Sequence, residues 1–401
     1  MGNMRGKPKW WLIGSGMAVA VAAAVALAHP GHPAIPTPTF AYTSAGQPIQ
    51  FDLFRGNRIF IPAIINGHKT EVMLDSAASL TTVDSNFARS IALPAGFKIA
   101  AKGAGGVTDA ELVSGLQWEI GGVRVSDASV AVMDLTPIEQ SIGRPISAII
   151  GRDFFNHTII SIDWTHRRLR ISSPNSFKSK ATAIALELKK VGPFDTIPIS
   201  VGNAPPVDAL LDIGNGAALA LPPTYWQHQP ELAGLRNAQS IEGGVGGMHP
   251  ARVATVPLVT IAGVSFSQVP ATLSDSDNDS DPTQMANVGI GLLEQFEPDL
   301  DLGHDRIYLV PRSDKPAFDR DRAGVLFELL NDRLKAVFVS KDGPAGAAGL
   351  KTGDEIVAVN GRRITSAFYN AGDWTRGPAG QQVTLLRADG SSVRFNLSDY
   401  Y

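Results

Sequence analysis

The stretch Val72-Met73-Leu74-Asp75-Ser76-Ala77-Ala78-Ser79 has a close counterpart in Ala209-Leu210-Leu211-Asp212-Ile213-Gly214-Asn215-Gly216. In each stretch an apolar run delivers one aspartate to a turn of small residues. An apolar run of this length is typical of a buried strand, so each carboxylate is expected where its strand leaves the core. Two aspartates in matching contexts indicate the two halves of a single site.

The sequence around the two aspartates repeats as well. A strand, a tight turn containing Asn and Gly, and a second strand are predicted before each aspartate. Asp163-Trp164-Thr165-His166 is matched by Asp301-Leu302-Gly303-His304, and Ile149-Ile150-Gly151 by Val288-Gly289-Ile290-Gly291. Because Asp75 and Asp212 are 137 residues apart and Asp163 and Asp301 are 138 apart, the pattern indicates an internal duplication.

This pattern resembles that of the retropepsin-like and pepsin-like aspartic proteases, in which an apolar pair precedes Asp-Ser/Thr-Gly and an apolar-apolar-Gly segment follows. Bacterial retropepsin-like proteins with a PDZ module are similar in this respect. The resemblance implies a mainly β chain with two tandem, pseudo-symmetric, retropepsin-like β-barrel lobes, at 50–172 and 183–312. The lobes are expected to form a pepsin-like bilobal unit, followed by a PDZ domain, which is a small α/β barrel.

The resemblance assigns catalysis to Asp75 and Asp212, supported by the loop residues Ser76, Ala77, Ile213 and Gly214. Two carboxylates held within about 3 Å cannot both ionise, so the pair shares one proton. The ionised member takes a proton from a water that attacks the peptide carbonyl, and the protonated member supports the developing oxyanion. This chemistry requires no cofactor and no metal. The function predicted is that of an aspartic-type endopeptidase acting on protein or peptide substrates.

Two departures from the family pattern give an alternative function. Ala77 stands where the family has glycine, so it is expected to pay for a positive φ. Ile213 stands where the family usually has a hydroxyl residue, which leaves Ser76 without a symmetric partner. The alternative is a catalytically impaired, protease-like scaffold that binds peptides. The presence of both aspartates favours the active enzyme.

Two glycine-rich segments are predicted to be hairpin tips, one in each lobe. The resemblance implies that these tips close over the substrate as flaps, and an ordinary glycine-rich hairpin is the alternative interpretation. The glycines concerned are Gly103, Gly105 and Gly106 in the first lobe, and Gly243, Gly244 and Gly246 in the second.

The N-terminal segment, residues 1–28, has the pattern of a targeting sequence. Arg5, Lys7 and Lys9 precede an apolar stretch at 10–28 that ends in Ala26-Leu27-Ala28, a small-x-small cleavage pattern. The stretch also has the length of a membrane span, so a cleaved signal and a retained inner-membrane anchor both fit. Either interpretation predicts an exported protein, periplasmic or secreted. Residues 29–49 are predicted to form a proline-rich spacer.

The last part of the chain, residues 320–399, resembles a PDZ module. The motifs that carry the resemblance are Gly343-Pro344-Ala345, Ala348-Gly349-Leu350, Gly353-Asp354-Glu355-Ile356 and Val359-Asn360-Gly361. The resemblance implies that Gly324, Val325, Leu326 and Phe327 form the loop that holds a peptide's C-terminal carboxylate. The strand after it is then expected to accept that peptide as an added strand. A structural or dimerising PDZ is the alternative.

Composition excludes other classes of function. The chain has 401 residues and a net charge of −3, a balance that gives no electrostatic basis for binding nucleic acid. It contains no cysteine, so a thiol nucleophile and a disulfide framework are both excluded. Its length predicts two or three domains.

Overall fold

The computed structural model describes residues 36–43, 46–103, 106–244, 247–275 and 285–401. Strands dominate these residues, which confirms the predicted mainly β fold. The targeting segment, together with Gly105 and Gly246 of the predicted flaps, lies outside the described residues. Within those ranges, the structure contains no helix with the length and apolar character needed to cross a membrane.

The first half of the protease region, called repeat one, spans residues 52–172. Its main sheet pairs β5 (His68–Leu74) in parallel with β10 (Ala148–Ile150), and β6 (Thr82–Asp84) in parallel with β9 (Val123–Met133), among otherwise antiparallel neighbours. Two short strands precede it, β1 (Thr39–Tyr42) and β2 (Ile49–Gln50). Its elements are β3 (Asp52–Phe54), β4 (Arg58–Ile65), β5 (His68–Leu74), β6 (Thr82–Asp84), α1 (Ser85–Ser90), β7 (Phe97–Gly103), β8 (Gly106–Ile120), β9 (Val123–Met133), α2 (Thr136–Ile142), β10 (Ala148–Ile150), α3 (Arg152–Phe155), β11 (Ile159–Asp163) and β12 (Arg168–Ser172).

The second half, called repeat two, spans residues 189–311 and follows β13 (Ile184–Glu187). It uses the same pairings, with β16 (Val207–Leu211) parallel to β21 (Ala286–Val288) and β17 (Leu219–Leu221) parallel to β20 (Val264–Ser274). The duplication seen in the sequence is therefore also a duplication of strand pairing, while the barrel shape of each lobe stays a prediction. Its elements are β14 (Lys189–Val191), β15 (Phe194–Val201), β16 (Val207–Leu211), β17 (Leu219–Leu221), α4 (Pro223–Trp226), α5 (Pro230–Ala233), β18 (Asn237–Gly244), β19 (Gly247–Ile261), β20 (Val264–Ser274), β21 (Ala286–Val288), α6 (Ile290–Leu293), β22 (Phe296–Asp301), a 3-10 turn (Leu302–His304) and β23 (Arg306–Pro311).

A further sheet joins the two repeats, in the order β13-β23-β22-β11-β12-β2. At its centre β11 of repeat one pairs antiparallel with β22 of repeat two, through Ile160 opposite Leu300. The repeated Asp…His landmark lies at the ends of these two strands. His166 Nδ1 lies 2.8 Å from Asp163 Oδ2, and His304 Nδ1 lies 2.7 Å from Asp301 Oδ1. The same local contact in both halves supports the duplication.

The predicted spacer at 29–49 is wrong for residues 39–42. These residues form β1, which pairs antiparallel with β9. Phe40 stacks on His157 with ring centroids 4.3 Å apart, and the Tyr42 hydroxyl donates to the His157 carbonyl. Phe40 and Tyr42 alternate with the smaller, exposed Thr39 and Ala41, which favours a strand that packs one face on the domain, and this local pattern outweighed the proline content.

The PDZ region forms a separate sheet with its own hydrophobic core, in the order β24 (Val325–Leu330), β25 (Arg333–Val339), β26 (Glu355–Val359), β28 (Gln382–Arg387) and β29 (Ser392–Asn396). The predicted turn after Val359 is present, with Asn360 and Gly361 at φ values of 50° and 75°. Its elements are β24 (Val325–Leu330), β25 (Arg333–Val339), α7 (Pro344–Ala347), β26 (Glu355–Val359), β27 (Arg362–Arg363), α8 (Ser366–Asn370), a 3-10 turn (Trp374–Arg376), β28 (Gln382–Arg387) and β29 (Ser392–Asn396).

Candidate active site

The two aspartates occupy equivalent positions, each one residue beyond its strand. Asp75 follows β5 and its backbone N–H donates to the Ile150 carbonyl at 3.0 Å. Asp212 follows β16 and its N–H donates to the Val288 carbonyl at 3.1 Å. In each repeat the parallel strand beneath the loop, β10 or β21, holds the aspartate backbone where the core ends. Both aspartate side chains are fully buried.

Ser76 joins the two loops directly. Its hydroxyl donates to the Leu211 carbonyl at 2.8 Å and accepts from the Ile213 N–H at 3.0 Å. These bonds cross from repeat one to the backbone on either side of Asp212, so they fix the second aspartate relative to the first. Ile213 makes no equivalent polar contact, since its side chain belongs to the hydrophobic core. One serine therefore provides the side-chain link that the family pattern assigns to two hydroxyls.

The two carboxylates have the same backbone hydrogen bond at Oδ1 but differ in the donor at Oδ2. Oδ1 of Asp75 accepts from the Ala77 N–H at 2.8 Å, and Oδ1 of Asp212 accepts from the Gly214 N–H at 2.8 Å. Oδ2 of Asp212 also accepts from Asn287 Nδ2 at 2.8 Å. Within the described part of the chain, no donor reaches Oδ2 of Asp75. The arrangement of the backbone is symmetric, and that of the outer oxygens is not.

This difference sets where a proton resides. Burial raises the pKa of Asp75 well above its ordinary value, and the charge of Asp212 raises it further. Burial also raises the pKa of Asp212, but the Asn287 amide and the Gly214 N–H oppose the rise. Hydrogen bonds to an ionised carboxylate favour the charged form. The donor on Oδ2 of Asp212, absent at Oδ2 of Asp75, therefore favours the charge on Asp212 and the proton on Asp75.

The buried guanidinium of Arg58 lies close enough to the two aspartates to interact with both charges. Arg58 begins β4, is 3% exposed, and its positive charge lowers the pKa of both aspartates. Burial in turn lowers the pKa of Arg58 to about 10, against the opposing effect of the two carboxylates. A methyl group on Gly216 would collide with its Nη1. Glycine at 216 thus makes room for the Arg58 side chain beside the pair.

The predicted backbone strain at Ala77 is wrong. Ala77 is absent from the residues of positive φ, as is Gly214, so neither loop requires the left-handed conformation at this position. The methyl group of Ala77 is buried against Phe194 and Leu210. Glycine matters at 214 for another reason: a methyl there would lie 2.5 Å from both carboxylate oxygens of Asp75. The loop of Asp212 therefore touches the carboxylate of Asp75.

A matched pair of substitutions tests this account. Gly214→Ala is expected to displace the Asp75 carboxylate and to lower any cleavage rate at least about a hundredfold, because small misplacements of reacting groups have effects of this size. Ala77→Gly is expected to change the rate only a few-fold and to reduce stability by about 1 kcal/mol, through backbone entropy and a lost methyl. Cleavage kinetics and denaturant unfolding of both variants provide the measurement. Equal rates in the two variants would contradict it.

The predicted flap glycines lie at the ends of long hairpins. Gly103 ends β7 opposite Gly106, which begins β8. Gly243 and Gly244 end β18, and Gly244 is paired with Gly247 at the start of β19. The two hairpins occupy equivalent positions in the two repeats. Their role as flaps stays a prediction.

The predicted carboxylate-binding loop of the PDZ region is already partly engaged. Gly324 has a φ of 72° and packs against Gly343, so no side chain fits there. Its N–H donates to Asp321 Oδ2 at 2.8 Å, and the Ala323 N–H donates to Asp321 Oδ1 at 3.1 Å. Asp321 also accepts from the Tyr400 hydroxyl. The side-chain carboxylate of Asp321 thus already accepts hydrogen bonds from the N–H groups at the start of this loop.

Asn287, Asn215 and Arg58 also belong to this site, although the sequence pattern did not predict them. Asn287 replaces the apolar residue that repeat one has at Ile149, and Asn215 Nδ2 donates to its side-chain oxygen at 2.9 Å. The signal for Asn287 was available in the sequence: it is one polar residue in an otherwise apolar strand, and the duplication aligns it with the apolar Ile149 of repeat one. Arg58 gave no such signal, since an arginine at the start of a strand is common on a surface.

Comparison with known families agrees with this geometry. Residues 61–154 match the aspartyl protease family model, and residues 339–387 match the PDZ domain model. The chain therefore contains an aspartyl protease domain and a PDZ domain. The protease match includes Asp75, the first hairpin and Gly151, whereas Asp212 lies beyond it. No curated protein matches the chain significantly.

Proposed function

We propose that this protein is an extracytoplasmic aspartic endopeptidase in which Asp75 and Asp212 activate one water. The observation that carries the proposal is the unequal pair: two buried aspartates at equivalent strand ends, one with both oxygens hydrogen-bonded and one with its Oδ2 free of donors. Titratable groups whose environments push their pKa values apart are typical of acid–base sites.

The proposed mechanism follows from these environments. Asp212, held ionised by Asn287 and Gly214, takes a proton from the attacking water. Asp75 carries the other proton and donates it toward the carbonyl oxygen as negative charge develops there. Its Oδ1 is occupied by the Ala77 and Ala78 N–H groups, so Oδ2 is the oxygen available for this proton. Ser76 keeps the two loops in register during the reaction.

Incubation with an unfolded protein tests the proposed function. Peptide products, identified by mass spectrometry, are expected without added cofactor. They are expected to diminish with a transition-state analogue such as pepstatin, which places a hydroxyl between the two carboxylates. Cleavage that resists this compound but is lost on substitution of either aspartate would still support the mechanism. Peptide binding without any cleavage would favour the impaired scaffold instead.

The pH dependence of cleavage provides a second test, through Arg58. Because the positive charge of Arg58 lowers the pKa of both aspartates, Arg58→Met is expected to raise them. The singly protonated pair then persists to higher pH, so the alkaline limb of the rate profile shifts to higher pH. Arg58→Lys keeps the charge and is the matched control. Identical profiles for the methionine variant and the wild type would contradict this role.

We further propose that residues 1–28 direct export of the chain, on the basis of their basic start and apolar stretch. Sequencing the N-terminus of protein recovered from outside the cytoplasm distinguishes a cleaved signal from a retained anchor. A full-length chain found in the soluble cytoplasm would contradict export.

A further inference from the structure

The outer face of β24 in the PDZ domain is buried by something other than the PDZ core. Val325, together with the partly buried Phe327 and Leu329, belongs to that core. Side chains alternate along a strand, so Leu326 and Glu328 point to the opposite side. Both are nevertheless only 7% exposed. Another part of the chain therefore covers the side of β24 that faces away from the PDZ core.

Repeat one contacts the PDZ domain at both β24 and α8. Helix α2 lies against β24, and Gly143, which ends α2, packs so closely on the Tyr369 ring that a methyl group there would collide with it. From the turn between β3 and β4, Arg55 Nη1 donates to the Tyr369 carbonyl at 3.0 Å. The Arg55 guanidinium also lies 4.0 Å from the centre of the Tyr369 ring and forms a 3.0 Å ion pair with Asp373.

The Arg55–Asp373 contact is electrostatically strong. Burial acts to raise the pKa of Asp373, but Arg55 and Arg376 outweigh it and hold the pKa at about 2. The Arg55 and Asp373 side chains are 17% and 12% exposed, so solvent screens this pair less than a surface pair. These contacts place repeat one on β24 and α8 together.

The same contact region reaches the candidate active site. The turn that carries Arg55 continues directly into Arg58 beside the two aspartates. A cavity of about 90 Å³ separates Gly216 and Ser240 of repeat two from Leu326 and Phe338 of the PDZ domain.

We propose that repeat one and an extended peptide compete for the same edge of the PDZ domain, so that docking restrains the protease and the peptide releases it. β24 ends its sheet, pairing only with β25 among the described strands, and a PDZ domain binds a peptide by adding it to such an edge. α2 lies against β24, and Arg55 contacts Tyr369 of α8 and Asp373 beside it. The effect on cleavage rests on the proposed function, whereas the docking does not.

Loosening the contact from the protease side tests this inference. Arg55→Asn keeps a residue that tolerates the φ of 49° at this position and removes the ion pair, the hydrogen bond and the ring contact. Leu326→Asp is expected to weaken the contact between the PDZ domain and the protease region independently, since Leu326 lies outside the PDZ core and lines the cavity shared with repeat two. Arg124→Asn, at an exposed ion pair with Glu119, is the matched control. The measurements are cleavage of a denatured protein and amide hydrogen exchange of the whole chain.

Both test variants are expected to cleave about tenfold faster, which corresponds to losing contacts worth about 1.4 kcal/mol. Exchange is expected to rise in α2, β24 and the turn at 55–58, with no change in Arg124→Asn. Unchanged exchange in both variants would overturn the docking, and faster exchange with slower cleavage would overturn the restraint. Faster exchange without cleavage in any form, wild type included, would support the docking and contradict the protease proposal.

Discussion

Asn in place of Asp75 or of Asp212 is expected to reduce peptide-bond cleavage by at least about a thousandfold, as for other groups that act as a unit in catalysis. Asparagine is similar in shape but neither accepts a proton from water nor donates one to an oxyanion. Asp75→Asn removes the proton that supports the carbonyl oxygen. Asp212→Asn removes the base that the Asn287 amide and the Gly214 N–H hold ionised.

Asp75→Asn is also expected to stabilise the fold at neutral pH. Burial raises the pKa of Asp75 in the folded chain above its value of 3.8 in a model peptide. The contribution of this group is therefore complete below pH 3.8 and is lost as the pH rises through the folded-state pKa. At pH 7 the native chain holds a buried carboxyl at a cost that asparagine avoids.

Asp208→Asn is the matched control, since Asp208 lies on β16 but is partly exposed and paired with Lys189. It is expected to leave both the cleavage rate and the melting temperature close to those of the wild type. Cleavage kinetics and thermal unfolding at pH 4 and pH 7 provide the comparison. Wild-type rates in either aspartate variant at residue 75 or 212 would eliminate the proposed mechanism.

The second large effect is expected at the buried ion pair between the repeats. Arg152 Nη2, on α3 of repeat one, lies 2.7 Å from Asp195 Oδ2, on β15 of repeat two. The two atoms are close but not aligned as a hydrogen bond, so the attraction is mainly between charges. Lys190 completes the group, 2.6 Å from Asp195 and 2.7 Å from Asp305. Asp195 is 2% exposed.

Asp195→Ala is expected to lower the free energy of unfolding by about 3–5 kcal/mol, because it leaves the Arg152 guanidinium buried without its counter-charge. Denaturant unfolding monitored by tryptophan fluorescence measures this change. Glu119→Ala, which removes an exposed ion pair with Arg124, is expected to cost no more than about 0.5 kcal/mol. A loss below about 1 kcal/mol in Asp195→Ala would show that the pair contributes little to joining the repeats.

The features that the sequence predicted are those encoded by local pattern. Apolar runs before Asp75 and Asp212 predicted buried strands that each end at an aspartate. The Asn360-Gly361 pair predicted its turn because few other residues adopt positive φ. In each case neighbouring residues determine the structure, so no knowledge of distant contacts was needed.

The features that it did not predict depend on contacts between distant residues. Arg55 meets Tyr369 across 314 positions of the chain, and nothing in either local pattern indicates the other. Asn287 and Arg58 acquire their roles only once the two loops meet. The wrong prediction of strain at Ala77 has the same origin. The family pattern has glycine at this position, but here the close approach of the two loops requires glycine at 214 instead.

The sheet shared by the two repeats has a consequence for how the protein is made. Its central strands, β11 and β22, are separated by more than one hundred residues, and β13 pairs with β23 near residue 309. Contacts so distant in the chain form late and slowly. The aspartate pair therefore does not assemble until nearly all of both repeats has been synthesised. A growing chain carries Asp75 long before Asp212 is in place, so under the proposed function translation alone would delay the appearance of proteolytic activity.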